Sequence, residues 1–176
     1  VACSKLLLAF LLILCVAALA VMAAAYLNLH PLSRDAVADR ILVEKSARRL
    51  TLLRGNATLK IYRVALGRAP VGAKEYEGDQ RTPEGIYSID FHKADSDYHL
   101  ALHISYPEQR DIDRAATQGL SAGSDIMIHG LPNGRNWIGA FHRRTDWTAG
   151  CIAVTDFEIE EIFRAVPDGT PIEIRP

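Results

Sequence analysis

Two residues in this chain have the types and the setting for covalent chemistry: His129 and Cys151, each beside a glycine at the boundary of a short apolar run. His129 ends Ile126-Met127-Ile128-His129-Gly130, and Cys151 follows Asp146-Trp147-Thr148-Ala149-Gly150 and leads into Ile152-Ala153-Val154-Thr155. Cysteine chemistry runs through the thiolate. An imidazole within hydrogen-bond reach supplies it by taking the proton and holding the resulting cation nearby. Two neighbouring strands would bring the pair together. Gly150 permits a sharp turn and close approach of a substrate, and the backbone N–H groups around Gly150 and Cys151 are candidates for holding an oxyanion. Such a pair suits acyl transfer through a thioester. Alone, His129 reads as a hydrogen-bonded core histidine and Cys151 as an inert buried thiol; the pairing favours chemistry.

The elements that must position these residues read as mostly β with two short helices. Residues 41–45, 50–53 and 58–66 are β-rich runs separated by plausible hairpin turns, an antiparallel meander. Residues 67–80 form a loop, and Thr82-Pro83-Glu84-Gly85 turns into a strand over 86–90. Over 98–105, Leu100, Leu102 and Ile104 alternate with His99, Ala101 and His103, the period of a half-buried strand whose histidine face is expected toward solvent. Residues 107–118 carry Ile112, Ala115 and Ala116 at helical spacing, and Gly119 stops that helix. Short strands are expected over 125–129 and 151–154, with a long loop over 130–147 between them. Thr155-x-x-Glu158 is a capping-box pattern opening a helix to about residue 165, and a last strand covers 171–175. No close-spaced ligand pair such as C-x-x-C or H-E-x-x-H occurs, so neither a metal nor a cofactor is expected.

At this level of detail the chain resembles the YkuD-type L,D-transpeptidases of bacterial peptidoglycan. The resemblance rests on the His129-Gly130 strand end, the Thr148-x-Gly150-Cys151 element, the Gly78-Asp79-x-x-Thr82-Pro83-Glu84-Gly85 loop and the opening meander, over about residues 40–175. It implies a β-sandwich or β-meander catalytic domain. There a cysteine attacks the carbonyl of the third residue of a stem tetrapeptide, usually meso-diaminopimelate, and expels D-alanine; an amine or water then resolves the thioester. It further implies Cys151 as nucleophile, His129 as general base, Gly130 where the histidine is oriented, and Thr148, Ala149 and Gly150 as the cysteine-bearing loop. The chain departs from the family where many relatives carry Ser-His-Gly-Cys and an arginine two residues on, since Ala149 and Ala153 stand there. His142, Arg143 and Arg144 are candidates to meet a substrate carboxylate in their stead, because arginine recognises that group bidentately. Trp147, with Trp137, is a candidate to stack on peptide or glycan. Asp146 is a candidate to orient a histidine or to cap a turn.

The composition separates two unlike pieces. Of residues 1–27 only Ser4 and Lys5 are not apolar, and Leu6 to Leu27 is free of charge. A helix of that length matches the roughly 30 Å of a hydrocarbon core, so residues 1–27 read as a signal anchor or, if cleaved at Ala23-Ala24-Ala25, a signal peptide. Residues 28–39 read as a linker and 40–176 as the catalytic domain. Both readings export the domain into the bacterial cell envelope, held at the inner membrane through residues 6–27 or released to the periplasm. Export leaves Cys151 as the single thiol of that domain, because Cys3 and Cys15 belong to the apolar piece. With 20 Lys+Arg against 21 Asp+Glu, the net charge of −1 gives no reason to expect nucleic acid as a partner. The expected partner is the peptidoglycan stem peptide; the oligomeric state is open. Transpeptidation is the leading activity. Hydrolysis, as an L,D-carboxypeptidase or of peptidoglycan–protein links, uses the same pair, and a non-catalytic wall-binding domain is the reading from another class.

Overall fold

The computed structural model describes residues 11–19 and 31–176. Strands β1 (Arg40–Glu44), β2 (Arg49–Arg54) and β3 (Ala57–Arg63) follow one another as hairpins whose turns fall where the polar breaks predict them. Strand β4 (Gly85–Ser96) is longer than the 86–90 stretch. Its second half, rich in charge, has no clean alternation, and it is extended by pairing with β5 (His99–Ile104) across two irregularities in register. Helix α1 (Gln109–Ala116), β6 (Met127–His129), β7 (Ile152–Ala153), helix α2 (Asp156–Ala165) and β8 (Pro171–Arg175) complete the order. In α2, Thr155 Oγ1 accepts from the Glu158 amide and the Glu158 carboxylate accepts from the Thr155 amide, the reciprocal cap its sequence predicts.

The strands form one sheet in the order β3-β2-β1-β8-β4-β5-β6-β7, mixed rather than a pure meander, because β8 lies parallel to β1 and β7 parallel to β6. The sheet curls until its ends meet: just beyond β3, Ala65 exchanges both backbone hydrogen bonds with Ala153 of β7, at 2.9 and 2.8 Å. Ile41, Val43, Leu50, Leu52, Ile89 and Leu102 are fully buried in it. Burying side chains of this size is worth about 1.5–3 kcal/mol each, which fixes the register, since a one-residue slip would expose the whole set. Helix α2 packs on β5 and β6 through Ile159 and Ile162. It also reaches β3, where the buried Glu161 carboxylate accepts from Lys60 Nζ at 2.5 Å and Tyr62 Oη at 3.0 Å.

Ser33–Pro176 forms one structural unit, and residues up to Leu32 belong to another. Ala38 and Asp39, expected in the linker, are tied into the first of these: the Ala38 amide donates to Ala165 O and the Asp39 amide to Leu53 O. Residues 11–19 are helical, with their apolar side chains exposed. Among the described residues no helix is long and apolar enough to cross a membrane. The rest of the expected membrane segment, 6–10 and 20–27, lies outside the described residues.

Candidate active site

Strands β6 and β7 carry the two reactive residues into one cleft. Their parallel register opposes Ile128 to Ile152 and His129 to Ala153. Cys151, one residue before β7, therefore shares with His129 the face opposite the buried isoleucines, one pair further back. The cleft has a volume of about 560 Å³, and both side chains line it, with Trp147, Thr148 and Tyr98.

His129 is clamped. Its Nδ1 lies 2.7 Å from Gly130 O, and since a carbonyl only accepts, Nδ1 carries the proton and Nε2 is left with its lone pair. The Gly130 amide donates in turn to Tyr98 O and Leu100 O at 3.1 and 3.2 Å. Any side chain at 130 would meet Tyr98 O at 2.9 Å and Asp156 Oδ1 at 2.8 Å, so glycine is required by packing. The Tyr98 ring lies 4.5 Å from the imidazole and the Trp147 indole 5.7 Å from it, centroid to centroid. Burial pushes the imidazole down to about 4, against the opposing pull of its bond to Gly130. It is neutral at physiological pH.

The thiol is held by the loop before β7. The Thr148 hydroxyl donates to Cys151 O at 2.7 Å and accepts from the Gly150 amide at 3.1 Å. The expectation that the Gly150 N–H holds an oxyanion is thereby corrected: that donor is taken by Thr148. Gly150 itself adopts φ +139°, and a Cβ there would fall 2.7 Å from Arg81 O. Backbone freedom and close approach thus both require glycine before the cysteine. Cys151 Sγ donates to Asp125 O at 3.5 Å. Burial pushes its thiol above the ordinary value, while the Met127 amide pulls the other way.

The Gly78–Gly85 loop supports this arrangement from behind. The Asp79 carboxylate accepts from Lys74 Nζ at 2.8 Å and from the amides of Glu75, Tyr76 and Arg81 at 2.7, 3.2 and 3.0 Å. These bonds hold its pKa below the ordinary value although burial alone would raise it. Thr82 Oγ1 accepts from the Gly67 amide at 3.2 Å, and the buried Lys45 joins Thr82 O and Glu84 Oε1 at 3.0 and 2.7 Å. The motif fixes Arg81, against which Gly150 packs.

Three candidates fall elsewhere. His142 and Arg143, expected to meet a substrate carboxylate, do not line the cleft. His142 is buried behind Trp147, and Arg143 is paired with Glu158 of the α2 cap. Asp146 orients no histidine: it accepts from Arg48 Nη2 at 2.7 Å and from the Leu66 amide at 2.9 Å, pinning the loop. His99 and His103, expected toward solvent, are half-buried and largely buried, and pair with Glu160 and Asp90 at 2.8 and 2.7 Å; the register puts His103 on the face of Met127 and His129, outside the cleft lining. Arg68 and Lys93 supply the positive charge of the cleft instead, and Tyr98 its second aromatic wall. Arg68 had a signal in sequence, a basic residue between Gly67 and Pro70 upstream of the Gly78–Gly85 motif. Lys93 had none, since the far half of β4 is not legible as strand.

The profile of the YkuD family, described as the L,D-transpeptidase catalytic domain, matches residues 38–174. Over 110 residues, 61% of this chain, the sequence is 33% identical to "Putative L,D-transpeptidase YafK" of Escherichia coli (strain K12); the matched stretch is 37% of that protein. The crystal structure of the helical cell shape determining protein Pgp2 of Campylobacter jejuni and the structure of Bd1075 of Bdellovibrio bacteriovorus share the fold. The first has a TM-score of 0.58 at 22% identity over 85% of this chain and 52% of that one. The second has a TM-score of 0.53 at 24% identity over 81% and 49%. The chain spans about half of each of these two. With its profile match running from before β1 into β8, the chain belongs to the YkuD family of L,D-transpeptidase catalytic domains.

Proposed function

We propose that the chain is a cysteine acyltransferase that forms a thioester between Cys151 and a peptidoglycan stem tetrapeptide and passes the acyl group to an amine. The observation that carries this reading is the convergence of His129 and Cys151 on one cleft from adjacent parallel strands. His129 Nε2 takes the thiol proton as Sγ attacks the carbonyl carbon of the third stem residue. The Cys151 amide is the donor left for the oxyanion, since the Gly150 amide is engaged. Collapse of the tetrahedral species breaks the C–N bond, and the imidazolium returns the proton to the departing D-alanine. In the second half the incoming amine loses its proton to His129, attacks the thioester and releases Cys151 as the thiol. Arg68 and Lys93 are suited to the carboxylates of the donor. The same reading sets the catalytic unit in the cell envelope, attached to the inner membrane through residues 6–27 or released from it.

Intact-mass analysis of the chain with disaccharide tetrapeptide tests the proposal. Cys151→Ala serves as control and released D-alanine is assayed in parallel. The expected result is a transient adduct that requires Cys151, together with D-alanine release and a cross-linked product. Turnover retained in Cys151→Ala would overturn the mechanism.

A further inference from the structure

His142 is a buried histidine that the mechanism above does not use. Its Nδ1 accepts from the Trp147 indole N–H at 3.3 Å; an indole nitrogen only donates, so the proton of His142 is on Nε2. That Nε2–H is closed off from solvent and unpaired, in a residue only 7% exposed. Among the described residues, the bond to Trp147 is therefore the one hydrogen bond of this side chain. An enclosed, unpaired donor is costly, and a hydrocarbon ring of similar size would carry no such cost. What a histidine adds at this position is an acceptor for the indole.

The indole that it holds packs on His129. Trp147 and Tyr98 stack on one another at 6.2 Å and 28°, and both rings lie against the imidazole, at 5.7 and 4.5 Å between centroids. The bond from the His129 Nδ1–H to Gly130 O fixes one edge of the imidazole and leaves the ring free to rock about it, so the two aromatic rings set where Nε2 lies. Tyr98 is tied through its backbone, its carbonyl accepting from the Gly130 amide. The Trp147 ring is tied through its N–H. A ring torsion about Cβ–Cγ is broad and roughly two-fold, so packing alone admits a flipped indole, and the bond to His142 selects one orientation. Trp147 also directly precedes Thr148, whose hydroxyl holds the Cys151 carbonyl, so the same bond sits at the root of the cysteine loop.

We propose that His142 is a positioning residue for the reaction: by accepting the Trp147 indole N–H, it fixes the aromatic wall against which the His129 ring is set. His142 itself lies outside the cleft lining and acts through Trp147. The role deepens the acyl-transfer reading above and rests on it.

The test is a double-mutant cycle on the full chain with disaccharide tetrapeptide. His142→Phe keeps a ring and removes the acceptor, His142→Asn restores an acceptor close to where Nδ1 stood, and Trp147→Phe keeps an aromatic wall without the N–H. We expect His142→Phe to lower kcat about tenfold while KM changes less than about twofold, and His142→Asn to recover most of the loss. In the Trp147→Phe background neither substitution at 142 should have a further effect. A second readout needs no turnover. In isotope-labelled chain the Trp147 indole N–H signal is the one that survives Trp137→Phe, and Trp137 is 80% exposed, so its loss leaves the core intact. His142→Phe should shift that signal, hasten its exchange with solvent and move the ring signals of His129. An unchanged kcat in His142→Phe, the same loss in the Trp147→Phe background, or a loss that only tracks a falling urea midpoint would overturn the role. Indole and His129 signals that move as expected in a chain that forms no thioester would sink the acyl-transfer reading alone. Thioester formation with signals indifferent to His142→Phe would sink the positioning role alone.

Discussion

Burial sets the resting protonation of both reactive side chains, and it sets them both neutral. The imidazole is pushed down to about 4 and the thiol up, so the free protein holds thiol and lone pair rather than thiolate and imidazolium. Proton transfer is then part of the attack itself. One consequence concerns alkylation: the rate at which iodoacetamide labels Cys151, followed by peptide mass, should climb without a plateau from about pH 6 to beyond about pH 9. A plateau reached below neutrality would mean a preformed ion pair and contradict this account. The acid side of the rate profile belongs to His129, because only the neutral ring is a base. Turnover should survive at pH 5 and fall by half near pH 4, whereas a solvent-exposed histidine would fail near 6.5. His129→Ala should lower kcat by about 100-fold to 10,000-fold, the usual contribution of a general base, while His99→Ala, paired with Glu160 outside the cleft, should leave it within about twofold. The pair was legible in the sequence from residue type and neighbouring glycines. The partners of Gly150 N–H and Arg143 were not, since each depends on a contact that local pattern does not encode.

Among the elements, the decisive join is between the cysteine loop and the Gly78–Gly85 loop. Gly150 lies against Arg81 O, and Asp79 fixes Arg81 through its amide. Gly150→Ala must either adopt φ +139° with a side chain or back away from Arg81, and both displace Cys151. We expect kcat to fall by about 100-fold or more, since a shift of about 1 Å at the reacting atoms is enough for that. Stability should fall by about 1–3 kcal/mol by urea denaturation. Asp79→Asn reaches the same atoms from further back. It leaves the ammonium of the buried Lys74 without its carboxylate and should cost about 3–5 kcal/mol, with loss of activity tracking loss of fold. Wild-type activity and stability in Gly150→Ala would show that the two loops are not coupled. The hairpins of β1 to β3, the alternation of β5, the α2 cap and β8 could all be read from period and turn chemistry. A strand over 151–154 was legible too, from its short apolar run, but its partners were not: β6 pairs with β7 in parallel and Ala65 bridges to it from the other side.

At the scale of the whole molecule, curling one sheet until Ala65 meets Ala153 sets the strand pair beside His129 and Cys151 at the seam. Sequence patterning found the strands but not this closure or the parallel pairs, which join residues far apart in the chain. The seam has a cost that pH exposes. His129 and His142, on either side of Trp147, are both pushed down to about 4 by burial, the second also by the charge of Arg143. In the unfolded chain each takes a proton near 6.5, and in the folded protein neither does until about 4. Between those values the unfolded state binds more protons, so stability is complete above about 6.5 and is lost as the pH falls toward 4. The slope contributed is about 1.4 kcal/mol per pH unit for each histidine, and the total on the order of 3 kcal/mol each. Asp79, held below its ordinary value, extends the loss to lower pH, since its carboxylate stabilises the fold until it is protonated there. Urea midpoints measured from about pH 7 to about pH 4 should therefore fall steeply. Replacing His142 with phenylalanine should remove one proton from the linkage and reduce the slope by about half, whatever the variant's absolute stability. A flat profile across that range would mean that the two rings are not held neutral, and with that the resting state of the proposed His129–Cys151 pair would have to be redrawn.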